Sequence, residues 1–247
     1  MSSVTHKIRK KLVLSQKQVG MEHIAIIRNG FTDKFGIPRQ SGLIESDKAE
    51  IVFCPRYRNA DALRGLEGFS HIWLLWEFSE AIRPDTGWSP TVRPPRLGGN
   101  TRMGVLATRS PFRPNPIGLS CVRLESIELS GPEGPVLHVA GADLMDGTPI
   151  YDIKPYIPFT DCRTDATDGF TAQTYGQSLD VVIPEGVVAN LPEGFPEQAI
   201  ETIRDILAQD PRPHYQDDPE RVYGMRYQGG DVHFTVSGRT LTVTDIK

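Results

Sequence analysis

The sequence predicts a mainly β protein: a compact β-barrel domain over residues 1–165, followed by a linker and a small α+β domain over residues 166–247. Three observations carry this. The 20 prolines and 23 glycines among 247 residues favour many short elements joined by defined turns over a few long helices. Roughly six segments dense in β-branched and aromatic residues follow one another with turn signals between them, which suits a barrel or a closed sheet. After Asp165 the chain turns polar and irregular, then gives one amphipathic helix and one hairpin, so a boundary is expected between residues 165 and 190.

The elements follow in order. "MEHIAIIRNG" is a strand by its isoleucines and ends at Asn29-Gly30; "FTDKFGIPRQSGL" is an ordered loop; "AEIVFCP" is a strand stopped by Pro55. "NADALRGLEGF" predicts a short helix through Leu66, and "SHIWLLWEF" a buried strand. The proline- and glycine-interrupted "TGWSPTVRPPRLGGNTR" is loop, and "MGVLAT", "IGLSCVRLESIEL", "VLHVAGADLM" and the short segment within "DGTPIYDIKPYIPFTD" are the next strands. Beyond the boundary, "PEQAIETIRDILAQDPRP" places Ala199, Ile200, Ile203, Ile206 and Leu207 on one helical face. The chain closes with two alternating strands about a Ser237-Gly238 turn.

The net charge of -4 excludes a global basic field, so contact with a polyanion would have to use a local patch. Two such clusters exist: Lys7, Arg9, Lys10, Lys11 and Lys17 near the N-terminus, and the arginines from Arg93 to Arg123. Three well-separated cysteines without a C-x-x-C pair point to reduced thiols, and no apolar run reaches signal-peptide or membrane-spanning length, so a cytoplasmic protein without a membrane partner is expected. Glycine fingerprints of the Rossmann and P-loop types, G-x-S-x-G and H-E-x-x-H are all missing, and the six histidines are scattered; no metal centre is expected.

Chemistry concentrates in four segments. In "TRSPFRPNPIG", Pro111, Pro114 and Pro116 fix three φ angles and hold the residues before them extended, so Arg109, Arg113 and Asn115 are presented from a stiff scaffold. An arginine there can grip a carboxylate or phosphate with two parallel hydrogen bonds, and Asn115 can donate to and accept from a base edge. "GADLMDGTPIYDIKPY" puts Asp143, Asp146, Gly147 and Thr148 in a turn, with Asp152, Lys154 and Tyr156 alternating onto one face of a strand; an Asp-Gly β-turn accounts for part of this equally well. The third segment is "GIPRQSGL", with Arg39 and Gln40, and the fourth is "GFSHIWLLWEF", with His71.

Taken in chain order, "GIPRQSGL", "LEGFSHIWLLWEF", "RPPRLGGNTRMGVLATRSPFRPNPIGLS" and "DLMDGTPIYDIKPYIPF" resemble the TsaA-like family of tRNA methyltransferases over roughly residues 20 to 162. The resemblance implies a compact β-barrel that forms a homodimer and binds S-adenosyl-L-methionine without a Rossmann domain. It implies methylation of N6 of N6-threonylcarbamoyladenosine beside the anticodon of tRNA. Carried over by motif, the cofactor pocket is expected at Pro38, Arg39, Gln40, His71, Ile72, Arg109, Leu119, Asp146, Gly147, Thr148 and Pro149. Asp146 and Asp152 are the candidate catalytic acceptors for the N6 proton, and Arg102, Arg113, Asn115, Lys154 and Tyr156 the candidate substrate contacts. Competing readings are a methyltransferase for another RNA or a small molecule, and a module that binds S-adenosylmethionine without turnover. The C-terminal domain, with Arg212, His214, Arg221 and Arg226, is expected either to help hold tRNA or only to complete the fold.

Overall fold

The structure is a computed structural model that describes residues 20–81, 88–94, 97, 100–174, 178–212 and 218–247. The basic N-terminal cluster, His214 and parts of the two proline-rich loops lie outside the described residues.

Six strands close into an all-antiparallel barrel: β1 (Ala25–Arg28), β2 (Lys48–Phe53), β3 (His71–Glu77), β6 (Ile117–Glu128), β7 (Val136–Ala140) and β8 (Pro149–Pro155), in the spatial order β1-β2-β7-β6-β3-β8. Two short strands, β4 (Thr91–Val92) and β5 (Met103–Gly104), pair outside it. The barrel expectation holds because the apolar runs alternate. Along β3 the burial alternates residue by residue, with Ile72, Leu74 and Trp76 inside and His71, Trp73 and Leu75 facing outwards. Ile27, Ile51, Val122, Leu137, Val139 and Ile150 complete that interior.

Two local expectations are corrected. "MGVLAT" is strand only at Met103–Gly104; Val105–Ala107 then forms a 3-10 turn, because Thr108 bonds Val105 O through both its amide and its hydroxyl. The helix expected before Leu66 is two 3-10 turns, Ala60–Leu63 and Leu66–Gly68, separated by Gly65 at φ 90°.

The C-terminal module is a four-stranded sheet covered by the helix Ala199–Ala208. Its strands are β9 (Asp180–Val182), β10 (Tyr223–Tyr227), β11 (Gly230–Ser237) and β12 (Thr240–Ile246), ordered β10-β11-β12-β9, with β9 parallel to β12. The helix buries Ala199, Ile203, Ile206 and Leu207 as its periodicity predicts. This second core also takes in Phe31 and Ile44 from the long loop between β1 and β2, both essentially inaccessible to solvent, while Phe35 and Ile37 pack against it. Among the described residues no helix is long and apolar enough to cross a membrane.

Candidate functional site

A cavity of about 1170 Å³ opens at the end of the barrel where β3 stops and β6 begins. Its floor is built where β3 pairs with β6: Trp76 lies opposite Gly118, and Leu119, the next residue of β6, also lines the cavity. The indole ring of Trp76 rests on Gly118, where a Cβ would come within 2.2 Å of Trp76 Cε2. Trp76 Nε1 donates to Ser120 Oγ at 2.9 Å, and Ser120 Oγ donates to Asp143 Oδ1 at 2.5 Å. Phe78 packs on Trp76 with ring centroids 4.2 Å apart.

The stiff segment after β5 forms one wall. Ser110 N reaches Thr108 Oγ1, Arg113 N reaches Pro111 O at 2.9 Å, and Ile117 N reaches Asn115 O at 2.7 Å. The segment is therefore a chain of hydrogen-bonded turns between prolines, with Arg109, Arg113 and Asn115 lining the cavity. Arg113 Nη1 also donates to Thr108 O at 3.1 Å.

The opposite wall is the loop Lys34–Gln40. Gln40 Oε1 accepts from Arg109 Nη1, so the "PRQ" and "TRSPFRP" segments meet directly. Arg39 Nη2 donates to the backbone carbonyls of Asp210 and Arg212, each at 3.4 Å, which brings Pro211 and Arg212 of the C-terminal module to the cavity edge. Arg212 is nearly buried and held by a two-point ion pair with Asp210, at 2.8 and 3.0 Å.

Asp143, read from the sequence as part of an acidic turn but not assigned to the cofactor pocket, is a carboxylate that lines the cavity. Burial pushes its pKa up, while the Ser120 hydroxyl and the nearby Arg109 guanidinium oppose that. A carboxylate in such a place can receive an ammonium group or an N–H proton at little reorganisation cost. Asp143 sits three residues before the Asp146-Gly147 turn, whose β-turn signal by itself does not separate a cavity carboxylate from a turn residue. Ser79, Glu80 and Phe78 beyond β3 also line the cavity; the signal available for them was their position at the end of an apolar strand.

Of the other expected residues, Pro38, Arg39, Gln40, Arg109, Leu119 and Thr148 come together around this cavity. Asp146, Gly147 and Pro149 stand just beside it: Asp146 Oδ1 accepts from Asn29 N at 3.0 Å, and Gly147 N donates to Ile27 O at 2.8 Å, so the turn is tied to β1. His71 is at the other end of β3 from Trp76, about 16 Å away at the rise of a strand, and Ile72 is fully buried inside the barrel. Asp152 and Lys154 form a surface pair at 2.7 Å on the outward face of β8, opposite Leu75 and Trp73. Tyr156 packs on Trp73 and His71 on that same face, and Arg102 bonds Thr91 Oγ1 at 3.3 Å away from the cavity lining. Among the described residues no group of three or more His, Cys, Asp or Glu side chains is arranged to hold a metal ion.

A closed antiparallel barrel with an apolar-walled cavity at one end, edged by arginines and backed by the half-buried carboxylate of Asp143, has the size and the paired charges to take a sizeable organic ligand carrying both charges, without any nucleotide-binding crossover fold. The chain belongs to the TrmO family: its residues 26–162 match the family model described as tRNA-methyltransferase O N-terminal domain, and residues 177–247 match the TrmO C-terminal domain. It is 44% identical over 221 residues to the tRNA (adenine(37)-N6)-methyltransferase of Escherichia coli K12, covering 87% of this chain and 92% of the relative. It is 50% identical over 169 residues to the protein of the same name from Eikenella corrodens, covering 68% of this chain and 91% of the relative. The crystal structure of TrmO from P. aeruginosa superposes with a TM-score of 0.73 at 35% identity, covering 92% of this chain and 96% of that one.

Proposed function

We infer that this chain is an S-adenosylmethionine-dependent tRNA methyltransferase acting on N6 of adenosine 37, in the form that carries an N6-threonylcarbamoyl group. The observation that carries this reading is the meeting of the "PRQ", "TRSPFRPNPIGL" and "DLMDGT" segments around one cavity, in a chain similar to named tRNA (adenine(37)-N6)-methyltransferases.

The cavity fits S-adenosylmethionine on chemical grounds: Phe78, Leu119 and Pro38 offer apolar surface to an adenine, Arg109 offers a guanidinium to a carboxylate, and Asp143 offers a carboxylate to an ammonium. When bound, the sulfonium supplies an electrophilic methyl group and a neutral leaving thioether. The chain's own residues then have three tasks. The proline-stiffened wall fixes the acceptor in line with the methyl group, which is the main demand of such a displacement. Arg113 and Asn115 face the acceptor, Arg113 offering charge to the threonyl carboxylate and Asn115 a base-edge contact. Asp143 stands inside the cavity, whereas the carboxylates of Asp146 and Asp152 are engaged at Asn29 and Lys154. Asp143 is therefore the stronger candidate for a group that receives either the cofactor ammonium or the N6 proton.

Asp143→Asn separates these two roles. It is expected to lower kcat/KM by roughly 100-fold, the loss of one charge-assisted contact worth about 3 kcal/mol. A rise in the S-adenosylmethionine Kd assigns the ammonium role; a fall in kcat at saturation assigns the proton role.

The dimer implied by the family resemblance has a candidate face. Leu119 is 50% and Phe159 89% exposed, and Trp73, Leu75 and Tyr156 lie beside the outward sheet surface that begins at Leu119. A second copy covering this face would bring its surface to the cavity rim. Phe159→Asp is expected to convert a dimer into a monomer in light-scattering chromatography; an unchanged mass would place the interface elsewhere.

The reading as a whole is tested by nucleoside mass spectrometry after incubating the protein with labelled S-adenosylmethionine and tRNA that carries or lacks the threonylcarbamoyl group. Label on N6 of the modified tRNA alone is the expected result. Bound cofactor with no labelled product from either tRNA would favour another acceptor or a binding role without turnover.

A further inference from the structure

The loop between β1 and β2 carries the "PRQ" wall of the cavity, yet the contacts that fix it belong to the C-terminal module. Phe31 and Ile44, at its two ends, are buried in the second core rather than in the barrel. Gly36, at φ 99°, lies against Met225, where a Cβ would come within 2.3 Å of the Met225 sulfur. Gly30 lies against Tyr227, and Gln228 N donates to Gly30 O at 3.1 Å. Asp47, closing the loop, accepts from the Tyr227 hydroxyl at 2.7 Å, and Ser46 Oγ donates to Asp205 Oδ2 at 2.6 Å. At the far side Arg39 bonds the carbonyls of Asp210 and Arg212. Asp210 is itself held at φ 48°, a conformation unusual for a side-chain-bearing residue, and its carboxylate fixes Arg212.

We propose that the C-terminal module is part of the ligand site: strand β10 sets the position of the Lys34–Gln40 wall, and Arg39 is a positioning residue that clasps this wall to Pro211 and Arg212. Arg39 then acts through the shape of the cavity and not as the main anion ligand, a role left to Arg109. Because a ligand that touches the wall binds only when the wall is in place, cavity occupancy and local stability of β10 are linked in both directions. Binding at the cavity should tighten β10, and loosening β10 should weaken binding at a site that Met225 does not touch. The inference rests on the reading of the cavity as the S-adenosylmethionine site.

The test uses the full chain with S-adenosylmethionine as probe, calorimetry for affinity and amide hydrogen exchange for local order. Met225→Ala and Tyr227→Phe, both outside the cavity lining, are expected to weaken S-adenosylmethionine binding by tenfold or more. They should raise exchange across residues 31–47 while leaving exchange in β3, β6 and β7 unchanged. In turnover the expected signature is a higher KM for S-adenosylmethionine with kcat at saturation nearly preserved. Arg39→Ala is expected to raise exchange at residues 209–212 and weaken binding, with Arg39→Lys restoring part of both. For the unmodified chain, adding S-adenosylmethionine should slow exchange in β10, a result that does not depend on any variant folding.

Affinity unchanged within twofold in both β10 variants would overturn the proposal. So would an Arg39→Ala chain that loses affinity without any change at residues 209–212, since Arg39 would then act on the ligand directly. If the unmodified chain fails to bind S-adenosylmethionine, the functional reading fails instead. The coupling between β10 and residues 31–47 is still decided by exchange in the ligand-free variants.

Discussion

Gly118→Ala is expected to cut methyl transfer to about 1% of the unsubstituted rate while leaving a folded barrel. Gly118 lies in β6 directly across from Trp76, and an added Cβ would stand 2.2 to 2.6 Å from three atoms of the indole ring. Contacts that close cannot persist, and the Gly118 backbone is held in the paired start of β6, so the ring must move. Overpacking of this kind costs about 1–3 kcal/mol in stability. The functional cost is larger, because Trp76 is the first member of the chain Trp76–Ser120–Asp143. Displacing the indole frees the Ser120 hydroxyl, alters the setting of Asp143 and intrudes on the cavity floor at once. A loss of about 100-fold corresponds to roughly 2.7 kcal/mol at the transition state. Circular dichroism and thermal unfolding would report the barrel, and single-turnover methylation the site. Activity within threefold of the unsubstituted chain would show that Trp76 does not organise this floor. A Trp76→Phe companion, which removes the Ser120 bond without adding volume, is expected to fall between the two.

The barrel was legible in the sequence because each of its strands is an alternating or β-branched run between turn residues, and alternation alone places Ile72, Leu74 and Trp76 inside. The stiff wall was legible for a similar reason: three prolines in six residues restrict the backbone whatever surrounds it. Strand β10 was also readable in principle, since "YGMRY" alternates and is followed by a Gln-Gly-Gly turn into β11. What could not be read locally is which end of a strand opens onto the cavity. His71 and Trp76 share one strand, and only the closure of the barrel decides that the Trp76 end meets the "PRQ" loop. The same holds for Phe31, Phe35, Ile37 and Ile44. Their apolar character is plain in a loop otherwise marked by Pro and Gly, but their partners lie roughly 150 residues or more further on, in contacts that no window of sequence contains. Asp143 was readable as part of the acidic turn around Asp146-Gly147, but its place at the cavity rests on Ser120 of β6, 23 residues earlier, which no local signal gives.

The junction between the modules carries a pH-dependent penalty that Asp47→Asn should remove. Asp47 is fully buried; one carboxylate oxygen accepts from Tyr227, and the other has no hydrogen-bond partner. Burial raises its pKa from 3.8 to about 6, and the Tyr227 hydroxyl and Lys48 only partly offset this. The same burial, with the carboxylate beside it, pushes the Tyr227 phenol up, so Tyr227 remains a donor throughout the working range. The folded chain therefore holds a proton on Asp47 that the unfolded chain releases between pH values near 4 and 6. Stability falls as pH rises through that window, and above about pH 6 the buried ionised group costs its full amount, about 3 kcal/mol. Asparagine keeps an acceptor for Tyr227 and replaces a charged, unpartnered oxygen by a neutral amide. Asp47→Asn should thus raise the melting temperature at pH 8 by about 5–10 °C for a chain of this size. The gain should shrink steadily on acidification and be absent near pH 4, where the aspartic acid is itself neutral. A gain of equal size at pH 8 and pH 4 would mean that packing, not charge, limits this junction, and destabilisation at pH 8 would mean that the ionised carboxylate has a partner in solution. Because Asp47 closes the loop that carries Pro38, Arg39 and Gln40, the same substitution should tighten S-adenosylmethionine binding at pH 8 if the loop and module move as one.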